Sequence, residues 1–132
     1  MREPSCLISV IPGSNIIRTD PSGSWTPEYT IQHRKEVITL AGKKFKREKW
    51  GFMPLICNMD PILDARTSEE FAKFHPELEE NGCVAAAFVV GKKVAIKAQS
   101  QRHHDTSSAS RLQIRHFHDE EEALEWLKSF GL

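Results

Sequence analysis

Apolar positions along this chain recur at two spacings, every second residue and every third or fourth, and the switches between them lay out its elements. Residues 6–11 and 15–19 are rich in β-branched side chains and flank Pro12-Gly13-Ser14, which predicts an opening hairpin. Residues 20–24, Asp-Pro-Ser-Gly-Ser, read as a loop. Thr26-Pro27-Glu28 then supplies a capping hydroxyl, a proline at the first helical position and an acid in the first turn. Ile31, Ile38, Ala41 and Phe45 share one face and carry the predicted helix to about Lys49, with Gly42 weakening its middle. Residues 52–59 predict a buried strand, in which Pro54 belongs at the start or on an edge. After the loop 60–66, Thr67 and Glu70 form a capping box, and Phe71, Phe74 and Leu78 make a core-facing stripe. Pro76 is expected to kink or split that helix, which Asn81-Gly82 ends.

Residues 83–90 are apolar throughout, the pattern of a central strand covered on both faces, and are expected to neighbour residues 52–59. Residues 91–105 fit two assignments, since Val94 to Ala98 alternate like a strand while the Ala and Gln content suits a helix. The last twenty residues are the most informative. The strand-like run 113–118 meets Asp119, which caps a helix whose first turn holds Glu120, Glu121 and Glu122. Ala123, Leu127 and Phe130 form its apolar stripe, and Gly131 ends it. The order is ββαβαβ(α)βα: one α/β domain over residues 1–132, with about five strands in a mixed sheet and helices mainly on one face.

Composition removes several classes of function. Eighteen bases balance eighteen acids, so no global field recruits nucleic acid. The halves differ only mildly, ten bases against seven acids in residues 1–66 and eight against eleven in the remainder. Cys6, Cys57 and Cys83 are odd in number and each lies in or beside an apolar run. They read as reduced thiols of a cytoplasmic protein, not as a disulfide framework or a zinc site. The longest apolar run, residues 83–90, is far too short for a transmembrane segment, and the first residues lack the apolar core of a signal peptide.

With this alternation in place, the chain resembles the small bacterial STAS-like proteins, the SpoIIAA-like anti-sigma-factor antagonists and their CRAL-TRIO-like relatives. The matching stretches are Ile16-Ile17-Arg18 followed by Gly23-Ser24-Trp25-Thr26, then Leu55 to Asp60, Thr67-Ser68-Glu69-Glu70, Gly82 to Ala87, and the ending His116 to Leu127. The resemblance implies a STAS-like (SpoIIAA-like) fold and favours helix in residues 91–105. Signalling members carry a phosphorylated serine in an acid–serine–serine–glycine turn. The corresponding place here is Asp64-Ala65-Arg66-Thr67-Ser68, where the order differs and the glycine is missing. What the resemblance leaves is a ligand- or partner-facing loop.

Few residues suggest chemistry. Thr67 and Ser68 can accept phosphate at a helix N-terminus, or Thr67 simply caps the helix. His116 and His118 project from one side of a strand near Asp119, His103 and His104, a metal-ligand spacing that equally describes a solvated strand face. Lys43, Lys44, Lys46, Arg47 and Lys49 can meet phosphates or an anionic membrane surface, or complement a helix dipole. No Gly-rich phosphate loop, nucleophile elbow or His-Glu-x-x-His pattern occurs, so neither a cofactor nor a catalytic residue is assigned. The expectation is a non-catalytic regulatory or partner-binding module, monomeric or homodimeric, with a small apolar-ligand or lipid-binding domain as the alternative. Its site is expected at the rim beyond the strand ends, formed by Asp64, Arg66, Thr67, Ser68, Lys92 and Lys93.

Overall fold

The computed structural model describes residues 2–91 and 111–132. Its strands are β1 (Ser5–Val10), β2 (Ile16–Gly23), β3 (Trp50–Pro54), β4 (Asn58–Met59), β5 (Cys83–Val89) and β6 (Gln113–Phe117). The helices are α1 (Pro27–Phe45), α2 (Ala65–Glu80) and, last in the chain, α3 (Glu120–Lys128). The strands form one mixed sheet in the order β1-β2-β3-β5-β6, with β4 continuing beside β2. Among the described strands only β1 is antiparallel, and β3 and β5 are central parallel neighbours, as the two apolar runs require. A bulge between Trp50 and Gly51 lets both Cys83 and Ala86 face the same side.

Helices cover both faces of this centre. On one face α1 and α2 bury Val37, Ala41, Phe45, Phe74 and Leu78 against Ile17, Trp50, Phe52 and Ala86. On the other, α3 buries Ala123 and Leu127 against Ile16, Met53, Ala85, Ala87 and Val89. The three consecutive alanines of β5 allow this close approach from both sides, and all three are fully buried. Gly51 does the same for α3, since an added Cβ would press on the side chains of Leu132 and Leu127.

Several boundaries differ from the sequence expectation, each for a local reason. Residues 20–23 are not loop but the end of β2. Pro21 is tolerated there because the ladder is interrupted beside it: Thr19 pairs with Pro54 and Ser22 with Asn58, so two residues of β2 oppose three of the next strand. The expected strand over 52–59 is therefore split into β3 and β4 by residues 55–57. Pro54 ends a central strand instead of starting one. Leu55 N–H donates to Thr19 and Ile56 N–H to Val89, so the ladder continues past the missing donor. Helix α1 stops at Phe45, short of Lys49, where Lys46 (φ 44°) and Arg47 (φ 76°) turn the chain left-handed.

The cap of α2 is Asp64, not Thr67; its carboxylate accepts from Thr67 N–H at 3.0 Å. Nor does Pro76 split α2. Arg34 of α1 pairs with Glu70 (2.8 Å) and Glu77 (3.4 Å), gripping α2 on both sides of the proline. Helix α3 begins where expected, with Glu122 N–H donating to Asp119 at 2.9 Å. The helix favoured for residues 91–105 lies, beyond Gly91, outside the described residues.

Leu127 is the central anchor of α3. Leu127→Ala is expected to lower unfolding free energy by roughly 2–5 kcal/mol in chemical denaturation. The exposed Leu63→Ala should stay within about 0.5 kcal/mol of wild type in the same assay.

Candidate functional site

Right-handed crossovers bring the ends of β2, β4, β5 and β6 and the starts of the three described helices to one edge of the sheet. Each helix start is already capped by its own chain. Thr26 accepts from Tyr29 N–H at 3.1 Å, and Asp64 and Asp119 serve α2 and α3 in the same way. The neighbouring Thr67, whose N–H donates to it, holds the Asp64 carboxyl below its ordinary value.

The loop between β4 and α2 is pinned at both ends. Asp60 pairs with Arg2 at 2.6 Å, accepts from the Ser24 hydroxyl at 2.6 Å, and donates its N–H to Gly23 at 3.0 Å. At the other end stands the Asp64 cap. Between them Ile62 packs toward Trp25, Met59 and Val90, whereas Leu63 is 95% exposed. Arg66, also exposed, approaches Glu28 at 3.8 Å.

The expected rim residues therefore separate. Asp64, Arg66, Thr67 and Ser68 all lie in the first turn of α2 or at its cap, but Thr67 is wholly buried and presents no hydroxyl to solvent. Ser68 is half-buried. Gly91 belongs to the same edge: a Cβ on it would touch Cys57, and its carbonyl meets His118 Nδ1 at 3.0 Å. Lys92, Lys93, His103 and His104 lie outside the described residues. Among the described residues no group of three or more His, Cys, Asp or Glu is placed to hold a metal. His116 packs on the ring of Phe88, with centroids 5.6 Å apart. Burial raises the Cys6 thiol to about 12, and full burial also pushes Cys83 up, so neither is poised as a nucleophile.

Beneath the rim lies a feature that the sequence pattern did not disclose. A cavity of about 30 Å³ sits between α1, α2 and the sheet, lined by Trp25, Phe52, Phe74 and Phe88 together with Thr19 and His33. Thr19 Oγ1 and His33 Nδ1 are buried with no hydrogen-bond partner among the described residues. Rings of Trp25 and Phe74 stand edge-on to His33, at 4.8 and 5.8 Å between centroids. Such burial lowers its pKa to about 4. His33 stands one turn before Val37 on the stripe that continues through Ala41 and Phe45, so helical spacing itself turns the ring inward, between Trp25 and Phe74.

A mixed sheet of this order, helices on both faces and helix starts gathered at one edge define an α/β fold of the SpoIIAA-like kind. No family model matches the sequence, and no curated protein does either. Among solved structures, the chain is similar to an uncharacterised protein of the DUF3478 family from Shewanella loihica PV-4, described as having a SpoIIAA-like fold. The TM-score is 0.66 at 15% identity, covering 96% of this chain and 95% of that one. The resemblance read from the sequence is thus matched by the fold. No helix among the described residues is long and apolar enough to cross a membrane.

The buried imidazole has a pH consequence. Unfolded, His33 takes a proton near pH 6.5; folded, it resists until about pH 4. The unfolded state therefore binds more protons between these values, and stability contributed by neutral His33 is lost as pH falls from about 6.5 toward 4, by on the order of 3 kcal/mol. Subtracting the stability-versus-pH curve of His33→Phe from that of wild type should isolate this slope; parallel curves would refute it.

Proposed function

We propose that this chain is a non-catalytic regulatory module that docks a protein partner on its rim. The docking surface comprises Leu63, Asp64, Arg66 and Ser68, with Lys92 and Lys93 following Gly91 in sequence. The observation that carries this reading is Leu63. It is almost fully solvent-exposed, yet stands on a loop fixed at one end by Asp60 and at the other by Asp64. A leucine held out on a rigid loop loses little conformational freedom on binding, which favours docking. Arg66 and Glu28 beside it offer both signs of charge for orientation.

Where the candidate reactive groups are placed supports the non-catalytic part. Asp64 and Asp119 cap helices, Thr67 is buried, and Cys83 is sealed in the core. The interior also favours surface docking over an enclosed apolar ligand. A cavity of about 30 Å³ accommodates one water, whereas ligand pockets run to about 300 Å³ or more.

Affinity capture from cells that make the protein tests the reading. A partner retained by wild type should be lost with Leu63→Asp and weakened about tenfold by Arg66→Glu, both exposed substitutions that leave the core untouched. A partner that binds both variants as tightly as wild type refutes the rim. Lipid carried through purification and seen by native mass spectrometry would favour the enclosed-ligand alternative instead.

A further inference from the structure

The second of the two large exposed apolar side chains among the described residues is Leu7, 73% exposed at the middle of β1. Strand β1 ends the sheet, with β2 as its neighbour on one side and, among the described residues, no strand on the other. Ile11 N–H donates to Ile16 at 3.0 Å, which fixes the phase of the β1–β2 ladder. Odd-numbered residues of β1 therefore direct their backbone groups at β2, and the N–H and C=O groups of Cys6, Ile8 and Val10 point outward. Solvent-facing edges are usually blunted by lysine, proline or a bulge. The six residues of β1, Ser-Cys-Leu-Ile-Ser-Val, contain no charge and no proline, and their register with β2 is unbroken.

We propose that β1 is the interface of a homodimer, in which two copies join edge to edge as antiparallel strands about a two-fold axis normal to the sheet. The occupant follows from the chemistry of the edge. A two-fold normal to the sheet keeps like faces together, so opposed residues must share parity. Centring it on Leu7 sets Leu7 against its counterpart, Cys6 against Ile8 of the second copy, and Ser5 against Ser9. Cys6 and Ile8 carry the outward backbone groups, so these pairs exchange hydrogen bonds. The Leu7 pair falls at the non-bonded position, where side chains approach most closely. Each exposed leucine thereby buries the other on a face that α3 covers mainly over β3, β5 and β6, reaching β2 at Ile16 and Arg18 but leaving Leu7 of β1 73% exposed.

Charge also favours a second copy. With no charge in β1, two copies meet without repulsion and a charged peptide finds nothing to grip. The flank of α1 bordering this edge carries Lys35 and Glu36 side by side along a shallow groove of about 290 Å³. Glu36 lies close enough to β1 to act on the Cys6 thiol. A symmetric neighbour thus meets a flank of mixed sign, which a two-fold contact tolerates.

Sedimentation equilibrium of the full chain from about 1 to 300 µM tests the interface, since a self-association must follow mass action. Wild type should approach twice its 15.0 kDa mass. Leu7→Arg, which opposes two guanidinium groups, should weaken association about tenfold or more, whereas Leu63→Asp on the rim should leave it unchanged. In a Cys6→Ser background, Leu7→Cys should form an intermolecular disulfide on mild oxidation, because opposed Cα atoms about 4.5 Å apart lie within disulfide range. A monomer at every concentration, or a dimer that Leu7→Arg leaves intact, overturns the proposal.

Discussion

Strands β3 and β5 are parallel and buried on both faces, and the remaining architecture is arranged to satisfy that burial. Parallel neighbours need crossovers, and right-handed crossovers place α1 and α2 on the same side. The opposite face would then expose Met53, Ala85, Ala87 and Val89, so α3 is needed to cover it. Trp50 locks one end of this arrangement. Its ring stacks on Phe45 at 5.8 Å, and its indole N–H donates to the Asn81 carbonyl at 2.8 Å, tying together the far ends of α1 and α2. Helix starts are consequently forced to the other edge.

That edge has the geometry in which open α/β sheets hold ligands, yet its polar groups are already committed. Free N–H groups at a helix start attract an anion only while nothing nearer occupies them. Here Thr26, Asp64 and Asp119 fill that role, and Asp60 is engaged by Arg2, Ser24 and Gly23. What remains outward-facing is a short loop with one apolar side chain and flanking charges. A small anion approaching this edge would meet helix N–H groups that the chain's own side chains already occupy.

Much of the fold was legible because its strongest signals are local. The apolar run over 83–90, the Asp119 cap with its acidic turn and the Thr26-Pro27 start each specify one element, and each stands where the pattern put it. The misplaced boundaries share a cause. Pro21, Pro54 and Pro76 are local breaking signals that tertiary partners override: an interrupted ladder accommodates Pro21 and Pro54, and Arg34 grips α2 across Pro76. The pattern put the cap at Thr67, whereas Asp64, three residues earlier, holds that place, and which of two such side chains caps is settled by which one the core absorbs. The core absorbed Thr67. Of the site, the sequence disclosed the rim loop. Leu63 was not legible as outward-facing, since a lone leucine in a loop carries no period; His33 shares the spacing of Val37, Ala41 and Phe45, but an imidazole on that stripe does not read as apolar.

The small cavity beneath the rim arises from the same prolines. Pro21 and Pro54 both line it, where β2 and β3 lose regular pairing. Close packing there would have buried the Thr19 hydroxyl and the His33 ring nitrogen against rings that offer them no partner. Each such group left unsatisfied costs about 1–3 kcal/mol. A void lined by both residues has room for one water, the partner that would relieve that cost, and closing it with bulkier apolar side chains would exclude it. The imperfection is thus the local solution to two prolines and two polar side chains confined beneath the rim.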